Sequence, residues 1–177
     1  QIQYNFMDIN NQAGTKGLEL AGSKGIPVVV MEGLLGGRLA KAPDNVQALY
    51  DAFPVKRSPV EWAFRWLCNH PQVATVLSGL TSVEQVKDNL RIFDTVEPGC
   101  MSKEELELID KVRDAYNSRI KVGCTGCAYC MPCPMGVDIP GSFSAWNNAS
   151  LYGGLGKGNA DYKRLEDAGK APTQCVE

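Results

Sequence analysis

A single histidine, His70, stands in the 177-residue chain. That scarcity removes most catalytic triads, proton relays and histidine-rich metal centres, each of which needs an imidazole beside its partners. Net charge is small as well: 18 basic against 20 acidic side chains leave a formal −2. Such a balance argues against an electrostatic grip on nucleic acid or on an anionic membrane surface. No apolar run reaches the roughly 18 residues that a spanning helix needs. The longest, residues 26–31, is strand length. No signal peptide is evident before the cysteines, so the expectation is a cytoplasmic protein in a reducing compartment.

Thiols, by contrast, are plentiful and clustered. Four of the seven cysteines form the run Cys124-Thr-Gly-Cys127-Ala-Tyr-Cys130-Met-Pro-Cys133-Pro134. Thiolates at every third position of a tight loop can grip three corners of an iron–sulfur cubane, with Gly126 and Ala128 letting the backbone wrap closely. In the bacterial two-cluster pattern the cysteine before the proline ligates the other cluster. Here the last gap is two residues instead of three, which leaves the role of Cys133 open. Zinc is the rival metal, but it favours two Cys-x-x-Cys knuckles separated by a spacer, and His70 lies far from the run. An odd total of seven cysteines argues against a disulfide framework. Cys68 reads as a small buried apolar side chain and Cys100 as a loop thiol.

Along the chain, residues 1–6 alternate in polarity like a strand, and residues 13–24 carry Leu18, Leu20 and Ala21 among helix formers. The β-branched run at 26–31 reads as a strand buried on both faces of a parallel sheet. A glycine-rich turn follows it at 32–38. A short helix is expected at 44–52. The next starts at Ser58, with Pro59 at its first position and Glu61 placed to close a capping box. Trp62, Ala63, Trp66 and Leu67 form its buried face. Residues 73–77 make a third strand. Ser82 with Gln85 opens a helix whose Val83, Val86 and Leu90 face inward, and Ser102 with Glu105 opens the last, with Leu106, Ile109 and Val112 inside.

Strand and helix alternating three times is the grammar of a parallel α/β domain. Three parallel strands leave both sheet edges open, so either further strands or self-association is expected to cover them. From residue 121 the composition turns to cysteine and then, over 136–157, to Gly, Asn and Ser with little periodicity. The expected division is therefore 1–120 for the α/β part and 121–177 for a small Cys-rich domain whose order depends on bound metal. The chain begins at Gln1, without an initiator methionine, and ends beside Cys175 at Glu177, so a fragment is expected.

Four segments carry a resemblance: Gln1-Ile-Gln-Tyr-Asn5, Val29-Val-Met-Glu-Gly-Leu-Leu-Gly-Gly-Arg-Leu39, Ser58-Pro-Val-Glu-Trp-Ala-Phe-Arg-Trp-Leu67 and Val76-Leu-Ser-Gly-Leu-Thr-Ser-Val-Glu-Gln-Val-Lys-Asp-Asn89. In order and spacing they resemble the C-terminal half of an aldo/keto reductase with an iron–sulfur appendage. The resemblance implies about three βα units of a (β/α)₈ TIM barrel followed by a truncated, ferredoxin-like 4Fe-4S domain. It implies NAD(P)H and a small carbonyl substrate for the full-length protein, with a redox partner for the cluster.

On the same resemblance the cofactor would be touched by Gln1, Glu32, Gly33, Leu35, Gly36, Arg38, Ser78, Gly79, Thr81, Gln85 and Asn89. Glu32 stands where many members stack a tyrosine on the nicotinamide. Gly79 and Gln85 replace basic residues of tight NADPH binders, so a preference for NADP is not implied. The family's catalytic tyrosine, lysine, aspartate and histidine lie on the barrel's first half, and Tyr4, Lys41 and His70 have no matching context. The fragment is thus expected to be inactive. The metal ligands would be Cys124, Cys127, Cys130, Cys133 and Cys175, the last leading into a second cysteine motif beyond Glu177. Two other functions stay open: an iron–sulfur electron carrier or docking module on a non-catalytic barrel scaffold, and a zinc-stabilised interaction protein.

Overall fold

The computed structural model describes residues 1–152 and 157–176. The glycine-rich residues 153–156 of the expected tail stretch lie outside the described residues. Two compact units are present, Gln1–Arg113 and Asp114–Glu177. Their boundary falls inside a helix, Lys103–Asn117, that the composition shift assigns wholly to the first part.

In the first unit, β1 (Ile2–Gln3), β2 (Val28–Met31) and β3 (Val73–Val76) form a parallel sheet in the order β1-β2-β3. Ile2 pairs with Val30, and Val30 with Val76; an irregularity at Val28/Val29 shifts the register. Each strand lies beside its sequence neighbour, the progressive winding of a barrel wall, with no reversal of order of the doubly wound kind. The connections carry α1 (Gly14–Ser23) between β1 and β2, then α2 (Asp44–Ala52) and α3 (Pro59–Cys68) between β2 and β3. After β3 come α4 (Val83–Phe93) and α5 (Lys103–Asn117).

The strands are shorter than their sequence signals. Ile26 stays outside β2 and is exposed, and β2 buries only alternate residues, Val28 and Val30, where burial on both faces is expected. Val29 and Met31, on the opposite face, are half-buried.

The core is organised on α3. The Ser58 hydroxyl accepts the Glu61 N–H at 3.1 Å, and Pro59 sits in the first turn where no N–H is needed. Trp62, Ala63, Phe64 and Leu67 are 1% exposed or less. Tyr50 of α2 stacks on Trp62 with ring centroids 6.0 Å apart, and the Arg57 guanidinium lies 4.5 Å from the ring centre. On the other side Tyr4 and Phe6, which follow β1, pack on Trp66. Deleting an indole from such a site costs about 3–5 kcal/mol.

Glu61 departs from the capping-box expectation. Its carboxylate does not return to Ser58 but accepts from Arg65 at 2.9 Å and from Arg91 at 2.8 Å, tying α3 to α4. The full box forms at α5, where Ser102 N–H donates to Glu105 and Glu105 N–H to Ser102. Leu108, Ile109 and Val112 are buried there, while Leu106 is only half-buried.

The expected inward face of α4 is not inward. Val83, Val86 and Leu90 are 63%, 39% and 66% exposed, and Ile92 is the helix's one buried residue. The amphipathic pattern is genuine, but no described element packs against it. Periodicity specifies a face that seeks cover without specifying that cover is present.

The second unit contains α6 (Ile139–Leu151) and α7 (Lys157–Asp167), which the low-periodicity reading missed. Asp138 caps α6 by accepting the Gly141 N–H at 2.9 Å, with Pro140 in the first turn. That local signature was the available signal. Asn147 of α6 fastens the segment before the cysteines, accepting from Lys121 and Val122 N–H groups at 3.0 Å each and donating to Val122 O at 2.7 Å. Among the described residues this unit has no strand, and nothing described gives it a ferredoxin-like sheet. Among the same residues no helix is long and apolar enough to cross a membrane.

Candidate functional site

A cleft of about 580 Å³ opens where the chain leaves the C-terminal ends of β2 and β3. One wall is the loop after β2, contributing Glu32, Gly33, Leu34, Gly36 and Gly37. The other is the loop after β3, contributing Leu77, Ser78, Gly79, Leu80 and Thr81, with Met31 and Phe64 also lining the space. In parallel α/β sheets, ligands collect at this end of the strands.

The first loop is held in an unusual backbone shape. Glu32, Leu35, Gly36 and Gly37 have φ of 60°, 50°, 62° and 83°. Glycine adopts that left-handed region without penalty, whereas Glu32 and Leu35 pay of order 1 kcal/mol or more for it. The fully buried Asn5 offsets the cost at Glu32: its side-chain amide donates to Glu32 O at 3.1 Å, and its carbonyl accepts from Met7 and Asp8 N–H. A Cβ on Gly33 would come 2.7 Å from a Leu67 methyl and 3.3 Å from Val76, so any larger residue there forces the buried Leu67 to shift. Among the described residues, the N–H groups of Gly33, Leu34, Gly36 and Gly37 donate to no backbone carbonyl. Successive unpaired N–H groups in such a turn make a concavity suited to an anion.

The second loop is tied down from α4. Asn89 Nδ2 donates to Ser78 Oγ at 3.0 Å, and Gln85 Oε1 accepts from Thr81 N–H at 2.8 Å. Ser82 caps the helix through Gln85 N–H at 3.3 Å. Asn89 and Gln85 therefore brace the loop instead of lining the space. Of the other residues expected at the cofactor, Glu32, Gly33, Gly36, Ser78, Gly79 and Thr81 line the cleft, while Gln1, Leu35 and Arg38 do not. Gln1 is exposed and donates to Met31 Sδ at 2.9 Å. Met31, Phe64, Leu77 and Leu80 also line the cleft and were missed, while Leu34 and Gly37 belong to the glycine-rich turn already singled out.

The thiol run occupies a loop of the second unit. Gly126 and Ala128 take φ of 69° and 58°, and Gly126 N–H points at Cys124 Sγ at 3.4 Å. The Tyr129 N–H and then the Thr125 hydroxyl hold the exposed Cys127 thiol below its ordinary pKa. Cys124, Cys130 and Cys175 are also exposed and Cys133 is half-buried; among the described residues none is in a disulfide. The donor set suits a soft metal in type. It does not fit one in placement, since among the described residues no three Cys, His, Asp or Glu side chains gather as a metal site. His70 is spoken for: its Nδ1 lies 2.9 Å from Trp66 O, and burial holds its pKa down.

Residues 1–114 match the aldo/keto reductase family. This chain belongs to that family. The match spans the whole sheet and both loops of the cleft, so the α/β fold described above is an aldo/keto reductase fold. Two solved structures are similar to it: aldo-keto reductase AKR11C1 from Bacillus halodurans in its holo form and in its apo form. Each is 26% identical over 62% of this chain, with a TM-score of 0.49. The aligned portion spans 40% and 41% of those chains, respectively. No curated protein matches. Aldo/keto reductases bind NAD(P)H and carbonyl compounds as a family, and the family match stops before the cysteine run.

Proposed function

We propose that residues 1–113 are the dinucleotide-holding wall of an aldo/keto reductase barrel, about three of its βα units. The observation that carries this reading is the cleft between the two strand-end loops, with unpaired N–H groups on one wall and hydroxyls on the other. The loop at 33–37 would receive the pyrophosphate on Gly33, Leu34, Gly36 and Gly37 N–H groups. Ser78, Gly79 and Thr81, braced by Asn89 and Gln85, would take the adenosine side. When bound, the nicotinamide supplies the hydride that a carbonyl compound accepts. The chain's own residues would bind and orient the cofactor, and binding without turnover is the expected result for this chain.

The test is a calorimetric titration of the chain with NADH and NADPH. A saturable, one-site isotherm is expected, with no strong preference for NADPH. In Gly79→Glu, the new side chain enters open space, since a Cβ there meets nothing within 4 Å. It sets a carboxylate beside an anionic ligand and should weaken binding by about tenfold, or ~1.4 kcal/mol. Absence of binding in the folded parent overturns the reading.

For the second unit, the proposed ligand is a 4Fe-4S cluster held by Cys124, Cys127 and Cys130, with Cys133 and Cys175 completing this or a second cluster. The three-residue spacing and the N–H donors at Cys124 and Cys127 support it. Metal binding would have to draw the sulfurs together, as it does wherever folding and ligation are coupled. Anaerobic purification decides: iron with acid-labile sulfide in stoichiometric amount is expected, while stoichiometric zinc in a colourless sample rejects the cluster.

A further inference from the structure

Two thiols outside the run, Cys68 and Cys100, are brought together by the fold of the first unit. Cys68 is the last residue of α3, and Cys100 sits in the turn before α5. Three hydrogen bonds lace these segments. Gly99 N–H donates to Asn69 O at 3.1 Å, Met101 N–H to Asn69 Oδ1 at 3.0 Å, and Cys100 Sγ to Arg65 O at 3.8 Å. The first two lie immediately beside the cysteines in sequence. The Gly99–Asn69 bond joins the two backbones one residue from each cysteine, and a disulfide closes from Cα separations of about 4.4–6.8 Å. Burial pushes the Cys68 thiol up to about 11, and the Cys100 thiol adds to that rise.

Access is present on one side. Cys68 lines a cavity of about 270 Å³ with Val73, Thr75, Val76 and Phe93, beside the outer edge of β3. Both thiols are half-buried, and neither is in a disulfide.

We propose that Cys68 and Cys100 are a modification site, forming a reversible disulfide with a low-molecular-weight disulfide as oxidant. Cys68 sulfur, reached through the cavity, attacks the external disulfide and expels one small thiol. Cys100 sulfur then attacks the mixed disulfide at Cys68 and expels the second. Two cysteine S–H bonds and one external S–S bond are lost; one protein S–S bond and two small-molecule S–H bonds form, so the two electrons pass to the oxidant.

The bond closes residues 69–99 into a loop containing β3, the Ser78–Thr81 wall of the cleft and α4. Within that segment β3 lies at the sheet edge, and α4 buries only Ile92 and is held to α3 through Arg91 and Glu61. A cross-link restricts its opening more than that of any better-packed part. This inference stands whether or not the cleft binds a dinucleotide.

The test exposes the full chain to oxidised glutathione, blocks remaining thiols, digests, and maps linkages by mass spectrometry. A peptide joining Cys68 to Cys100, abolished by dithiothreitol, is expected. Proteolysis within 69–99 should slow several-fold in the oxidised chain, and Cys100→Ser should lose both the link and the slowing, leaving Cys68 unmodified or glutathionylated. Glutathione on both sulfurs without a link, or linkage confined to the 124–133 run, overturns the proposal. So does a linked chain cut as fast as the reduced one.

Discussion

Glu61 shows how one side chain in the first unit is committed. Burial alone would raise its pKa, but hydrogen bonds from Arg91 and Arg65 outweigh that and hold it below the ordinary carboxylate range. A group depressed on folding stabilises above its unfolded pKa of about 4.3, and that stability is lost as pH falls through the folded value. Thermal melts between neutral pH and pH 3 should therefore show a falling midpoint. Glu61→Gln removes the charge that Arg57, Arg65 and Arg91 share and should cost about 2 kcal/mol at pH 7, with a flatter acid limb. An unchanged acid limb in Glu61→Gln would locate the loss elsewhere. At this scale the sequence announces types and not partners. Ser58 and Pro59 declared the start of α3, but nothing local showed that Glu61 would abandon the cap for Arg91, thirty residues away. Asn5 was equally silent, because its role depends on a carbonyl in the loop after β2.

Among the elements, α3, α4 and α5 were readable from their Ser-x-x-Glu or Ser-x-x-Gln starts, and β2 and β3 from β-branched runs. The two cleft loops were readable as well, since glycine spacing and the family resemblance converged on 32–38 and 78–81. What escaped was α6, whose Asp-Ile-Pro start was hidden by a low-contrast body, and the exposure of α4. The amphipathic α4 leaves Val83, Val86 and Leu90 as an exposed apolar face. Leu90→Lys should leave the melting temperature of the isolated chain nearly unchanged, within about 0.5 kcal/mol, because the side chain buries little. The same change should lower self-association in sedimentation measurements, where the parent is expected to associate through its open strands and this face. A strictly monomeric parent at high concentration contradicts that expectation.

For the molecule as a whole, the two units differ in kind. The first is an aldo/keto reductase α/β segment with an apolar core on α3; the second is a helical pair preceded by a cysteine loop. On the proposed function, the strand-end cleft of the first unit receives a nicotinamide dinucleotide. Amide hydrogen exchange of the chain with and without saturating NADH tests it most directly. Slowed exchange concentrated at residues 33–37 and 78–81 is the predicted result. Unchanged exchange at both loops, or protection only elsewhere in the chain, contradicts it.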